Sequence, residues 1–358
     1  MGRSDGLDAV RGTAIGMVLL WHFVEPSLRA DYPSAAWTLG LFWSGVDLFF
    51  VLSGFLIGGI LIDARGSERI LSTFYARRAL RIIPLYAFLL LVTWRDSTPL
   101  LPYLTFTQNF ATAWSASWEP VALAPTWSLA VEEQFYLLLP VIVILMTPAR
   151  LPYLLVTLIA LGPVARLLLQ TAFGNHFAPY VLLPGRMDAL FMGAMAAWMV
   201  RQPLSMTWLR DNRARLYMAA GALLCALILL SRLRPSWFGT IQFVVGYSTL
   251  AAFYTSTVLL VATASRPLPR LLKPLSWMGL GAYSLYLFHM PVYITVKQYS
   301  PYPAVVSLLI LTGLSVALWH LVEAPLIAFG RAKFRYGQHR TVTASSSGTA
   351  CERVSQIE

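Results

Sequence analysis

"LDAVRGTAIGMVLLWHF", Leu7 to Phe23, is suited to lipid along most of its length, yet apart from Asp8 it carries two formally or potentially charged side chains, Arg11 and His22. Those two are eleven positions apart. In a helix that spacing is three turns plus about 20°, with a rise of about 16 Å, so both side chains share one face. A charge at mid-membrane costs from about 2.5 kcal/mol on insertion scales to more than about 10 in simulations, so such residues usually face a cavity and mark function. Two readings are open. Arg11 and His22 line a polar interior, or Arg11 snorkels to the headgroups while His22 is a buried hydrogen-bonding residue.

Outward from this stretch the chain keeps the same character. Of 358 residues, 57% are hydrophobic and 12% charged, about half the charged share of an ordinary soluble domain. Apolar runs near the twenty residues needed to cross a bilayer recur almost to the end. The expected fold is therefore all-α: a polytopic transmembrane bundle of about ten helices, near residues 8–25, 39–62, 79–95, 126–147, 152–171, 181–200, 215–232, 239–263, 276–297 and 303–328. The first run has no small-residue cleavage site behind it and reads as a retained span. The net charge of +11 does not call for nucleic acid, because Lys and Arg cluster at span ends: Arg65, Arg69, Arg77 and Arg78 after the second, Arg201 to Arg215 after the sixth, Arg266 to Lys273 after the eighth, Arg331 to Arg340 after the last. By the positive-inside rule these ends, and both termini, are cytoplasmic. The third span is the weakest, shortened by its basic start and Pro84, and residues 96–125 read as an outer loop or a re-entrant element. Residues 1–330 form the membrane domain; 331–358, with "TASSSGTA", read as a polar, disordered cytoplasmic tail. Cys225 and Cys351 make neither a disulfide framework nor a metal cluster, so no metal site is expected.

The second span, "GVDLFFVLSGFLIGG" from Gly45 to Gly59, puts Asp47 at a depth comparable to His22, where a carboxylate would fix the imidazole tautomer; Glu25 is the other candidate. Ser53, Gly54, Gly58 and Gly59 allow close approach by a neighbouring helix or a thin ligand. "FYARRALRIIP", Phe74 to Pro84, sets Arg77, Arg78 and Arg81 at the cytoplasmic mouth, with Arg78 and Arg81 on one face. Their forked donors suit phosphate oxygens, of a nucleotide or of anionic lipid. "PTWSLAVEEQFYLLLP" puts Ser128, Glu132 and Tyr136 on one face and Glu133 about 100° away, so Glu132 is the expected interior carboxylate. "PGRMDALFMGAM" adds Arg186 and Asp188, a mutual ion pair or an acceptor site. "GAYSLYLFHMPV" supplies Tyr283, Tyr286 and His289, and "WHLVEAPL" supplies His320 and Glu323.

Together these motifs resemble the acyltransferase-3 family of integral-membrane O-acyltransferases, over roughly residues 5–328 and in the family's order. The resemblance implies a multi-pass protein of the bacterial cytoplasmic membrane that moves an acyl group, acetyl by default, from acyl-CoA to a hydroxyl of a sugar or glycan; acceptors in the family extend to lipid-linked sugars and glycosylated metabolites. It implies that Arg11 and His22 are required for activity and that Arg78 and Arg81 contact the donor. "FFVLSGF", "SLAVEEQFY" and "SLYLFHMPV" would belong to the shared core. The last motif usually carries a tryptophan where Phe288 stands here. Some members append a soluble esterase-like domain; the short polar tail leads us to expect none.

On that footing His22, with an ordinary imidazole pKa of about 6.5, is the expected general base, oriented by Asp47 or Glu25. Arg11 would lie along the donor's path, with Arg77, Arg78, Arg81 and Ser53 binding the donor. Ser128, Glu132, Tyr136, Arg186, Asp188, His289 and Glu323 would support the acceptor side. The expected partners are acyl-CoA as co-substrate, a sugar or glycan acceptor and the bilayer, with no permanently bound cofactor. A secondary transporter is the rival from another class, but the polar motifs concentrate in the first third and no internal repeat is visible.

Overall fold

A computed structural model describes residues 4–32, 40–95, 98–233 and 239–337. Among them the fold is helical throughout. Ten long helices set the frame: α1 (Asp5–Phe23), α2 (Gly45–Asp63), α3 (Ile70–Thr93), α4 (Thr126–Leu145), α5 (Leu151–Phe173), α6 (Leu183–Met199), α7 (Arg213–Leu233), α8 (Tyr247–Ala262), α9 (Ala282–Lys297) and α10 (Pro303–Leu318). Each of the ten expected spans overlaps one of these helices, with different bounds. Of the tail expected over 331–358, residues 338–358 lie outside the described residues.

Among the described residues, six helical stretches are long and apolar enough to cross a membrane: Phe42–Asp63, Thr126–Leu145, Leu151–Phe173, Arg213–Arg232, Gln242–Ala262 and Pro303–Lys333. The last two run unbroken through π-helical turns at Gln242–Gly246 and Trp319–Glu323. Helices α1 and α3 miss that standard for a physical reason: their ionisable residues, Asp5, Asp8 and Arg11 on one and Arg77, Arg78 and Arg81 on the other, lower the hydropathy of otherwise apolar helices. The features that weaken them as spans are the features that make them candidates for function.

Two expected span boundaries are corrected. Helix α3 starts at Ile70 and passes through Pro84, so the basic stretch before the apolar run is helical; a proline removes one backbone hydrogen bond, which the rest of a long packed helix tolerates. The ninth expected span is divided at Gly281 into a short helix, Lys273–Leu280, and α9. Between α3 and α4 lie two short helices, Leu100–Leu104 and Gln108–Ser115. The second is tied down by its buried amides: Gln108 Nε2 donates to the Thr126 carbonyl at 2.9 Å and Asn109 Nδ2 to the Val181 carbonyl at 3.2 Å.

Helix α2 is the centre of the bundle; 78% of its apolar window is buried, against 17–50% in the other five apolar spans. It packs on α6 by backbone contact. A Cβ on Gly54 would stand 1.9 Å from the Leu190 carbonyl oxygen, and one on Gly193 would stand 2.1 Å from that of Val51. The glycines of α2 thus serve helix packing, the close approach that small residues permit where lipid gives no hydrophobic drive. Arg201 closes the far end of this pair with a bidentate ion pair to Asp63, at 2.7 and 2.6 Å. The same device joins α1 to Lys273–Leu280, where a Cβ on Gly279 would lie 1.8 Å from the Asp8 carbonyl and one on Gly12 1.9 Å from that of Leu275.

Candidate functional site

Helices α1, α2, α3, α4 and α9, with the end of Lys273–Leu280, line a cavity of about 130 Å³. Arg11, Arg78 and Arg81 supply three guanidinium groups to its wall, and Ser53, Ser128, Glu132 and Tyr136 supply acceptors and hydroxyls. The sequence put Arg78 and Arg81 at a cytoplasmic mouth and Arg11, Ser53, Ser128, Glu132 and Tyr136 on helix faces in the bundle; in the structure all seven line this one cavity. Arg11 pairs with Asp8, one turn earlier on α1. That partner was missed, although the i, i+3 spacing on a single helix was the available signal. The remainder of the lining is largely apolar, including Phe49, Phe50, Ile57 and Leu287, so the charged groups act in a poorly screened environment where their pull on an anion is strong.

The face predicted on α4 is present. Glu132 accepts from Ser53 Oγ at 2.6 Å and from Tyr136 O–H at 3.2 Å, and the Arg78 guanidinium lies 5.9 Å from the centre of the Tyr136 ring. Ser53 therefore touches the Glu132 carboxylate directly. Glu133 is half-buried and does not line the cavity. Ser128 Oγ sits 2.7 Å from the Tyr286 hydroxyl, which donates to the Pro125 carbonyl at 3.0 Å; Tyr283 donates to the Ile82 carbonyl at 2.8 Å. These two tyrosines of α9 pin it to α4 and α3.

His22 Nδ1 lies 2.8 Å from the Val18 carbonyl oxygen. A carbonyl only accepts, so that nitrogen carries the hydrogen and Nε2 keeps its lone pair. The backbone therefore orients the imidazole, and the expected carboxylate does not: Asp47 bonds to Arg186 at 2.9 Å, and Glu25 pairs with Arg29. His22 is outside the cavity lining. Its ring meets His289 edge-on with centroids 4.8 Å apart, and His289 in turn is 5.5 Å from the ring of Tyr286, a wall residue. The imidazoles thus stand behind the Tyr286 end of the cavity.

Other candidates are reassigned by their contacts. Arg77 turns away from the cavity: its Nε donates to the Phe334 carbonyl at 2.9 Å and its guanidinium lies over the Tyr336 ring. Arg186 and Asp188 do not pair with each other. Arg186 takes Asp47 and sits between the rings of Tyr180 and Tyr247, at 4.2 and 4.4 Å, while Asp188 receives two 2.8 Å bonds from Arg166. Arg166 is fully buried and was missed, though a lone arginine inside "LGPVARLLLQ" was a legible signal. Of the last pair, Glu323 is buried in the π-helical turn of Trp319–Glu323 and His320 is exposed; neither lines the cavity.

Helices of this length and hydropathy, wrapped around a cationic interior, make this a multi-pass membrane protein. It belongs to the acyltransferase-3 family: the family model, described as an acyltransferase domain, matches residues 4–323. Among curated proteins the chain is 26% identical to the O-acetyltransferase OatA of Staphylococcus aureus, covering 92% of this chain and 58% of that protein. It is 27% identical to the peptidoglycan O-acetyltransferase OatA of Listeria monocytogenes, covering 80% and 49% respectively. The chain thus spans about half the length of these relatives. No solved structure matches it.

Proposed function

We propose that this chain is an O-acetyltransferase of the bacterial cytoplasmic membrane that moves an acetyl group from acetyl-CoA to a hydroxyl of a cell-wall glycan. The observation that carries the reading is the convergence of Arg11, Arg78 and Arg81 on one internal cavity whose Tyr286 end backs onto His22 and His289. The names of the relatives support acetyl as the group and peptidoglycan as the acceptor.

In this account Arg78 and Arg81 hold the donor's phosphates at the cytoplasmic end of α3, as charge-assisted, forked hydrogen bonds suit phosphate oxygens. Arg11, held by Asp8, lies further along the pantetheine arm and faces charge that develops on the thioester oxygen. His22 Nε2 takes the proton of the acceptor hydroxyl, the oxygen attacks the thioester carbonyl, and the C–S bond breaks to give the ester and a thiol. Positioning and proton removal suffice, because a thioester is already activated.

The test is direct. Purified protein in nanodiscs is given acetyl-CoA labelled in the acetyl group and a soluble glycan fragment of the cell wall. The expected result is label in ester linkage on the glycan, released by mild base. Labelled acetyl that stays wholly on coenzyme A, with the protein folded and the donor bound, contradicts the reading.

A further inference from the structure

His289 is fully buried, and nothing in the reaction as drawn above uses it. Its Nδ1 lies 2.6 Å from the Tyr286 carbonyl oxygen, so that nitrogen bears the hydrogen and Nε2 holds a lone pair. That Nε2 is buried and has no hydrogen-bond partner among the described residues. A buried acceptor left unpaired is unfavourable, and such exceptions call for a cause. Beside it stands His22, in edge contact at 4.8 Å, with its own Nδ1 tied to a carbonyl in the same manner. Two neutral imidazoles, each pinned as the Nδ1–H tautomer by its own helix, present two lone pairs and no hydrogen to share.

We propose that His289 is a positioning residue for acyl transfer, whose Nε2 accepts the hydrogen bond of His22 once His22 has taken the acceptor's proton. The proposal rests on the acyl-transfer reading above. The acceptor O–H bond breaks as the Nε2–H bond of His22 forms, and His289 receives that N–H, which stabilises the new cation by a charge-assisted bond. The alcohol oxygen attacks the thioester carbonyl carbon, the C–S bond breaks, and the proton held between the two rings passes to the departing thiolate. Neither imidazole is changed at the end, and no oxidant or metal enters. The backbone ties matter here because they fix both tautomers before substrate arrives: a ring free to flip would offer an N–H to the acceptor hydroxyl and could not take its proton.

Two variants separate the nitrogens of His289. His289→Gln places an amide oxygen near the Nε2 position, able to accept from a protonated His22. His289→Asn places its amide near Nδ1 and leaves the Nε2 position empty. Folding of each is checked by thermal unfolding in detergent, and His289→Phe replaces the Asn variant if that one does not fold. The expected result is kcat within about tenfold of wild type for His289→Gln and lower by about a hundredfold for His289→Asn or His289→Phe, the scale of a lost proton-transfer aid, with the KM for acetyl-CoA within twofold throughout. A kcat for His289→Asn or His289→Phe within threefold of wild type, or equal losses in the Gln variant and its partner, would overturn the proposal alone. Absence of transfer by the wild-type protein would instead overturn the acyl-transfer reading, and this proposal with it.

Discussion

Arg186 Nη1 donates a 2.9 Å hydrogen bond to Asp47 Oδ1, joining α6 to the central helix α2 with both side chains almost completely buried. Asp47 is committed to this pair, and the His22 ring is held by the Val18 carbonyl. A buried ion pair adds little over an apolar pair of the same size, but breaking one partner strands the other. Asp47→Asn is therefore expected to cost about 3–5 kcal/mol of stability, read as a lowered midpoint of thermal or denaturant unfolding in detergent. The double variant Asp47→Leu with Arg186→Met should recover more than half of that loss. Turnover per folded molecule should stay near wild type in Asp47→Asn; a collapse of turnover without loss of stability would restore the carboxylate as the orienting group.

The three arginines of α3 should divide by function. Arg78 and Arg81 line the cavity, whereas Arg77 is bound to Phe334 and Tyr336. Arg78→Ala with Arg81→Ala should raise the KM for acetyl-CoA by tenfold or more, about 1.4 kcal/mol of lost binding, with a smaller effect on the acceptor. Arg77→Ala should leave the donor KM within twofold and speed proteolytic cleavage near residues 334–337. Equal donor effects at all three positions would mean that the arginines act only through overall charge.

Close backbone contact between α1 and Lys273–Leu280 makes a steric prediction. A Cβ at Gly279 would sit 1.8 Å from the Asp8 carbonyl, whereas among the described residues one at Gly221 on α7 would meet nothing within 4 Å beyond its own helix backbone. Gly279→Ala should destabilise the protein by at least about 1–3 kcal/mol, and because Asp8 holds Arg11 it should also raise the donor KM. Gly221→Ala should stay within about 1 kcal/mol of wild type. Unfolding curves and donor titrations of the two variants check both statements; equal behaviour would contradict the packing.

What could be read from sequence divides along the range of the interaction. The face shared by Ser128, Glu132 and Tyr136 follows from helical period alone, and the structure places all three at the cavity wall. The split between Arg78 with Arg81 and the odd Arg77 is equally periodic. Partner choice is different in kind. Asp47, Asp188, Arg166 and Arg186 offer several pairings of similar local plausibility, and which forms depends on how α2, α5 and α6 stack, fixed in part by glycine contacts such as Gly54 with Leu190. The tie of His22 to the Val18 carbonyl is local to α1, but its neighbour His289 lies far along the chain, and no spacing rule joins them.

The central claim is that the Nε2 lone pair of His22 takes the proton of the acceptor hydroxyl, and the most direct measurement is acetyl transfer from labelled acetyl-CoA to glycan by His22→Ala beside wild type, with donor binding measured in parallel. The account predicts a folded, membrane-inserted variant that binds acetyl-CoA with near-normal affinity and transfers at least about a hundredfold more slowly. Transfer by His22→Ala at a rate close to that of wild type would contradict it.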